Sequence, residues 1–386
     1  MIKIGITGQS GFIGTHLFNT LGLHQDRFAR IPFEDSFFQN PEKLREFVSS
    51  CDAIVHLAGV NRHNDPDYIY EMNIKLAEQL ITACEQSSVT PHIIFSSSSQ
   101  EERDNPYGKA KKKARIIFEH WAEQHNAAFT GLIIPNVFGP FGNPYYNSVV
   151  ATFCHQLTHN EQPNIDIDGE LKLIYVGELV KHIIDTISGH RVTQSVSSTV
   201  INSVKHYETI EIPHSSTIKV SQLLEKLNHF KTQYFEKGII PCLDDPFDRN
   251  LFNTFLCYID HDAFFPFMLK KNSDNRGDFV ELIKLHSGGQ VSFSTTVPGI
   301  TRGNHFHTRK AERFAVIKGK ARIELRRIGT DKILSFELNG DQPSFVDMPV
   351  WYTHNITNTG DDELYTMFWI NEHFNSEDQD TFFENV

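Results

Sequence analysis

Apolar positions along the first two-thirds of the chain switch repeatedly between two periods. Ile2-Lys-Ile4 is a short β-branched run, Thr15-His-Leu-Phe-Asn-Thr20 has helical spacing, and Asp26-Arg-Phe-Ala-Arg-Ile31 reads as a second strand. Cys51-Asp-Ala-Ile-Val-His-Leu-Ala-Gly-Val60 is apolar and ends in small residues, as a strand buried on both faces should, so His56 within it reads as a core histidine. Asn73, Ile74, Leu76, Ala77, Leu80 and Ile81 predict a crossover helix, Pro91-His-Ile-Ile-Phe95 the next strand, and Ala114, Ile117, Phe118 and Trp121 an amphipathic helix. Strand alternating with helix predicts a Rossmann-type parallel sheet with helices on both faces.

From about Asn272 the helical period stops. Val291–Thr296, Arg313–Ile317, Ala321–Leu325 and Tyr365–Trp369 alternate in and out between Gly, Asp and Asn turns, which predicts an all-β jelly roll or barrel. The stretch from about 205 to 271, with Leu223, Leu224 and Leu227, is expected to finish the first domain. The expected domains are therefore 1–260 and 261–386.

Composition narrows the function. A length of 386 residues suits two cores, and 39% hydrophobic with 22% charged residues is an ordinary globular balance. The net charge of −12 argues against a nucleic-acid partner. No run approaches the ~20 apolar residues of a membrane span, and Met1 leads straight into the first strand. Five cysteines without close pairs suit a reducing compartment, so a cytoplasmic protein is expected.

Gly8, Gly11 and Gly14 lie between the first strand and the first helix. Glycines there permit positive φ in the turn, close approach of backbone to a pyrophosphate, and tight helix-on-strand packing. The helix N-terminus favours the anion. The end of strand 2 reads the adenosine ribose: Arg27 and Arg30 would suit the 2′-phosphate of NADPH, whereas Glu34 and Asp35 come slightly late for the 2′-OH of NADH.

Ser96-Ser-Ser-Ser99 follows directly on a strand, at the edge of the cofactor crevice. Tyr107 and Lys111, four apart, share one helical face. A phenol, whose pKa a nearby ammonium and a cationic nicotinamide are expected to lower toward phenolate, donates a proton to the alkoxide formed by hydride transfer, and a serine hydroxyl steadies the carbonyl oxygen.

On these residues the first ~240 positions resemble the extended short-chain dehydrogenase/reductases. The resemblance implies that Gly8, Gly11, Phe12, Ile13 and Gly14 cradle the cofactor, with Arg30, Leu57, Ala58, Gly59 and Asn136 around it. It implies a catalytic triad of Ser98, Tyr107 and Lys111, although sequence leaves the choice within Ser96–Ser99 open. Pro135-Asn136-Val-Phe-Gly139-Pro140 matches the family's turn near nicotinamide and substrate, but the arginine often found before it is replaced by Ile133 and Ile134. Tyr146, Asn147 and Ser148 are expected to begin a helix of the nucleotide-sugar region.

In the β region, His305 and His307 are two apart on a predicted strand and point to one face, Glu312 opens the next element, and His354 lies on a later strand. Three imidazoles and a carboxylate suit a divalent transition metal, zinc first. This motif resembles the cupins, and Asp274-Asn-Arg-Gly277-Asp-Phe-Val-Glu281 resembles cupin-type sugar-nucleotide epimerases. The two domains in this order resemble a family of bifunctional capsular-polysaccharide enzymes over essentially the whole chain. That resemblance implies a homodimer whose cupin domain epimerises C3 of a UDP-linked 4-keto-6-deoxy-hexosamine. Its reductase domain then reduces C4 with NADPH, toward UDP-N-acetyl-L-fucosamine. Two alternatives stay open: a reductase with a merely dimerising cupin module, and a redox-neutral epimerase or dehydratase, for which Glu101 and Glu102 lie one turn late.

Overall fold

A computed structural model describes residues 1–196 and 207–386, with the side chains of 190–196 excepted. The chain forms two compact units that interleave in sequence: 1–138, 145–148 and 170–218 in one, and 139–144, 149–169 and 219–386 in the other.

The first unit opens with β1 (Ile2–Thr7), α1 (Phe12–Gly22), β2 (Phe28–Ile31), α2 (Pro41–Ser49), β3 (Ala53–His56), α3 (Pro66–Ser87), β4 (His92–Ser98), α4 (Pro106–His125), β5 (Phe129–Ile134) and β6 (Asn136–Phe138). After α5 (Val149–Thr158), which belongs to the second unit, come β7 (Glu170–Tyr175), α6 (Val176–Val196), β8 (Tyr207–Glu211) and β9 (Ser216–Lys219). The main sheet is parallel with order β2-β1-β3-β4-β5-β8. Chain order reverses beside β1, so the ends of β1 and β3 flank the crevice where parallel sheets bind ligands. One apolar layer joins Ile54, Phe95, Phe118 and Trp121, and another joins Ile4, Val55, Ile94 and Ile183. Both faces of the sheet are therefore covered, as the continuous apolar runs require. Strand β4 extends through three serines because Ser96, Ser97 and Ser98 stay in register with Leu132, Ile133 and Ile134.

The second unit contains α5, α7 (Val220–Phe230), β10 (Ile239–Ile240), α8 (Pro246–Leu256) and α9 (His261–Phe264). Strands follow: β11 (Phe267–Met268), β12 (Lys271–Asp274), β13 (Gly277–Val280), β14 (Lys284–Leu285), β15 (Gln290–Thr296), β16 (Thr301–Phe306), β17 (Glu312–Lys318), β18 (Lys320–Arg327), β19 (Ile333–Asn339), β20 (Ser344–Met348), β21 (Tyr352–Asn358), β22 (Leu364–Ile370) and β23 (Phe382–Phe383). Two five-stranded sheets, β11-β20-β17-β22-β15 and β19-β18-β21-β16-β23, enclose Ala315, Ile323, Leu325, Phe336, Phe345, Val346 and Ile356, giving the expected jelly-roll core.

Helices of the stretch 219–264 belong with these sheets rather than with the nucleotide-binding unit, which differs from a single boundary at 260. The reason is a buried polar knot. Arg313 bonds Asp347 through Nε and Nη2, each at 2.8 Å, and donates to the Gly238 carbonyl at 2.6 Å, while the Tyr234 hydroxyl donates to Asp347 at 2.7 Å. Asn253 adds a bond to the Arg309 carbonyl at 2.9 Å. Polar groups buried this deeply must be paired, and their partners lie on both sides of residue 260.

Candidate active site and metal centre

The glycine loop is as tight as its spacing requires. Gly8 has φ +71°, and a Cβ on it would stand 2.8 Å from the Ala58 nitrogen. A Cβ on Gly14 would stand 2.2 Å from the Gly8 carbonyl oxygen. Gly11 caps α1 without a side-chain bond, no acidic residue occupies the first turn of that helix, and the Gln9 Oε1 atom is buried without a partner. Phe12 and Ile13 begin α1, and Leu57, Ala58 and Gly59 follow β3 directly. These residues fit a dinucleotide: a close backbone cradle with free amides at a helix start.

The site reaches α4 through Gly59, where a Cβ would stand 3.4 Å from Lys111 Nζ. Helix α4 starts at Pro106 because Asn105 caps it, accepting from the Gly108 amide at 2.7 Å. That start places Tyr107 in the first turn and Lys111 one turn on. The Lys111 ammonium lies 5.7 Å from the Tyr107 ring centre, 4.8 Å from the Phe95 ring centre and 3.5 Å from Ser96 Oγ. Burial lowers Lys111 to about 8. Burial, with Tyr146 second, raises Tyr107 to about 12, so the phenol keeps its proton instead of being pulled toward phenolate. Buried His56, lowered to about 3 chiefly by burial, bonds Thr7 Oγ1 at 2.7 Å and behaves as the expected core residue.

The serines separate by face. Ser97 points away from Lys111, is buried, and bonds Glu101, which pairs with Arg115 at 2.8 Å. Ser96 donates to the His56 carbonyl at 3.1 Å. Ser98 shares the Ser96 face at the strand end, and its hydroxyl accepts from the Gln100 amide at 3.2 Å. Glu102 is exposed, 3.8 Å from Lys112.

Around the crevice, Asn136 begins β6 and bonds the Lys172 carbonyl at 3.4 Å. Asn147 donates to the Asn61 carbonyl at 2.8 Å, and α5 starts at Val149. Arg27 sits before β2, its carbonyl bonding the Ile2 amide at the amino end of the sheet, far from where a ribose would lie. Arg30 folds back on α1, donating to the Phe18 carbonyl at 3.2 Å with its guanidinium 4.3 Å from the Phe18 ring centre. Instead Asp35 reaches the glycine loop, accepting from Ser10 Oγ at 3.5 Å. Asn73, legible only as a polar residue at a core helix position, holds the loop after β3 through both the amide and the carbonyl of Val60, at 3.2 and 2.7 Å.

In the second unit, His305, His307, Glu312 and His354 converge, their ligating atoms all within 4.8 Å of one another. A bulge between Gly303 and His305, with Gly303 at φ +101°, turns His305 to face His354 across the β16–β21 pair. Glu312 Oε2 lies 3.0 Å from His354 Nε2, 3.4 Å from His307 Nε2 and 3.9 Å from His305 Nε2. Burial pushes Glu312 upward, but the three imidazoles outweigh it and hold the carboxyl well below its usual range. His307 Nε2 is buried and makes no aligned hydrogen bond. Four converging N and O ligand atoms, one of them a buried imidazole nitrogen without an aligned hydrogen bond, fit a divalent transition ion.

Residues 4–191 match the NAD dependent epimerase/dehydratase family, and residues 272–382 match the polysaccharide biosynthesis C-terminal domain. The chain is 33% identical over 387 residues to a UDP-2-acetamido-2,6-beta-L-arabino-hexul-4-ose reductase of Pseudomonas aeruginosa, covering 99% of this chain and 98% of that one. Among solved structures it is similar to the capsular polysaccharide assembling protein CapF of Staphylococcus aureus, 34% identical, with a TM-score of 0.60 and coverage of 99% and 100%. The spore coat polysaccharide biosynthesis protein SpsL of Bacillus subtilis is 25% identical over 122 residues, 29% of this chain and 81% of that one.

Proposed function

Because the chain belongs to the family of two-domain nucleotide-sugar enzymes that includes the P. aeruginosa reductase and CapF, we propose that it reduces the C4 ketone of a UDP-linked 2-acetamido-2,6-dideoxy sugar after inverting C3 of the same sugar. The observation that carries the reductase half is the Tyr107–Lys111 pair on the buried face of α4, joined through Gly59 and Ala58 to the glycine loop.

A bound nicotinamide supplies the hydride to C4. Tyr107, kept neutral by burial, gives its proton to the C4 oxygen as the alkoxide forms, and the Ser98 hydroxyl steadies that oxygen. Lys111 stabilises the phenolate left behind, and a solvent proton restores the phenol. Charge and protons balance: one ketone, one hydride and one proton give one alcohol. With Glu101 tied to Arg115 and Ser97, and Glu102 in solvent, the acidic pair of a dehydratase is not offered to the crevice, which favours reduction.

For the dinucleotide, Arg30 is engaged on α1 while Asp35 stands by Ser10. The site therefore takes NADPH with NADH accepted alongside it, a weaker phosphate preference than Arg30 alone implied.

The epimerase half belongs to the cupin region, residues 261–386 together with the helices from 219 onward that fold with its sheets. His305, His307, Glu312 and His354 would hold a divalent ion, zinc first, that could polarise the ketone or brace the barrel. A ketone at C4 acidifies the C3 proton, and reduction at C4 then fixes the inverted centre. The partner is a second copy: Val291 and Phe293, 52% and 69% exposed, line the outer face of β15 at a sheet edge. No helix among the described residues is long and apolar enough to cross a membrane, and the cysteines Cys51, Cys84, Cys154, Cys242 and Cys257 are unpaired, which supports a cytoplasmic setting.

The test is incubation of the purified protein with NADPH and the UDP-linked 4-ketosugar. Stoichiometric loss of NADPH with formation of the 4-hydroxy sugar is expected. A changed sugar without loss of NADPH would make it a redox-neutral enzyme.

A further inference from the structure

Past β22 the chain does not trail away; residues 372–385 return across the histidine cluster. Strand β23 pairs with β16, Phe383 opposite His305 and Phe382 opposite Phe306. Arg309 binds Glu372 at 3.1 Å and Asp378 at 2.8 Å, the Glu384 amide donates to the Asn304 carbonyl at 3.0 Å, and Arg326 binds Glu384 at 2.9 Å. One residue fastens this strap to a ligand. Asp380 is 6% exposed and has φ +43°, a left-handed conformation that a non-glycine residue keeps only when its surroundings impose it. Its carboxylate accepts from the Thr308 amide at 3.1 Å, the Thr308 hydroxyl at 2.6 Å, the Arg309 amide at 3.0 Å and the Lys310 amide at 3.2 Å. Its carbonyl faces His307 Nδ1 at 2.5 Å.

A carbonyl oxygen only accepts, so Nδ1 of His307 must carry the proton of that bond. In the neutral imidazole the lone pair then sits on Nε2, the atom turned to Glu312, His305 and His354. We infer that Asp380, a positioning residue on the C-terminal strap, sets the metal-binding tautomer of His307 and couples docking of the strap to occupancy of the metal centre. The inference rests on the metal reading of the cluster and adds to it. Outer partners of this kind change metal affinity by about 10–100-fold. Linkage makes the coupling reciprocal: a strap that tightens the metal is itself tightened by the metal to the same factor.

The experiment uses the full chain and Co²⁺, whose visible spectrum reports ligand geometry. Wild type should take up one Co²⁺ per chain, lost in His354→Ala. Asp380→Ala should bind Co²⁺ about 10–100-fold more weakly in chelator competition and shift the spectrum, with unchanged circular dichroism. If that variant does not fold, Thr308→Val and Arg309→Ala, which loosen the strap without touching a ligand, should weaken Co²⁺ in the same direction. In wild type, Co²⁺ should slow carboxypeptidase release of the last residues. Wild-type affinity and spectrum in the folded variants, with digestion indifferent to Co²⁺, would overturn the inference while leaving the metal centre intact. No Co²⁺ uptake by wild type at the cluster would overturn the metal reading itself.

Discussion

Lys111 Nζ lies 3.5 Å from Ser96 Oγ and 5.7 Å from the centre of the Tyr107 ring, so one buried ammonium serves both the serine-bearing strand and the phenol. On the proposed mechanism the phenol is the proton donor and the ammonium sets how readily it parts with the proton. Tyr107→Phe should therefore lower kcat for NADPH oxidation by about 10²–10⁴-fold while cofactor binding, followed by fluorescence titration, stays near wild type. Reduction within a few-fold of wild type would remove Tyr107 from the proton path.

The same ammonium predicts a pH profile. Lys111 is lowered to about 8 by burial, and its charged form is the useful one, so kcat/KM for reduction should fall as pH rises through about 8. Stability should move the other way. Between about 8 and the ordinary lysine value near 10.5, the unfolded chain binds more protons at this site, so the Lys111 contribution to stability rises with pH across that window. Lys111→Met should abolish the stability term and flatten that limb of the activity profile.

In the proposed site dinucleotide choice turns on Asp35, which meets Ser10 in the glycine loop while Arg30 is held by Phe18. An anion near a ribose 2′-phosphate costs about 1 kcal/mol in a solvated setting, so Asp35→Ser should raise the NADPH:NADH ratio of kcat/KM about fivefold. An unchanged ratio would show that Asp35 does not face the ribose.

Asp347 neutralises fully buried Arg313 and accepts from Tyr234. Breaking such a pair from one side leaves an uncompensated interior charge, and Asp347→Asn should cost about 3–5 kcal/mol in urea unfolding. A loss below about 1 kcal/mol would mean that solvent reaches Arg313.

What could be read from sequence follows how local the causes are. The glycine loop, the Tyr107–Lys111 face and the His305–His307–Glu312 run each lie within one or two adjacent elements, where spacing alone fixes which side chains share a face. His354 was legible because the all-β pattern calls for strands that fold back on one another. Side-chain direction was not: Arg30 sits on a correctly placed strand, but stacking on Phe18 turns its guanidinium toward α1. Long-range pairings were also hidden. Tyr234 and Asp347 are 113 positions apart, and no periodicity marks that the helices from 219 onward fold with the β-sheets. Asp380 and His307 are 73 apart, and the strap's sequence offers only scattered polar residues.

The central claim is that one chain performs proton exchange at C3 and hydride transfer at C4 with separate residues. Because the Arg313–Asp347–Tyr234 knot spans residue 260, the full chain is the right material rather than a cupin fragment. The decisive measurement is mass-spectrometric deuterium uptake by the UDP-linked 4-ketosugar in D₂O, without NADPH, catalysed by the Tyr107→Phe protein. Incorporation of one deuterium at C3 at the wild-type rate, lost in a folded His305→Ala variant, is the predicted result. No incorporation by the folded, metal-loaded protein would contradict it and leave a reductase whose β-domain only binds or dimerises.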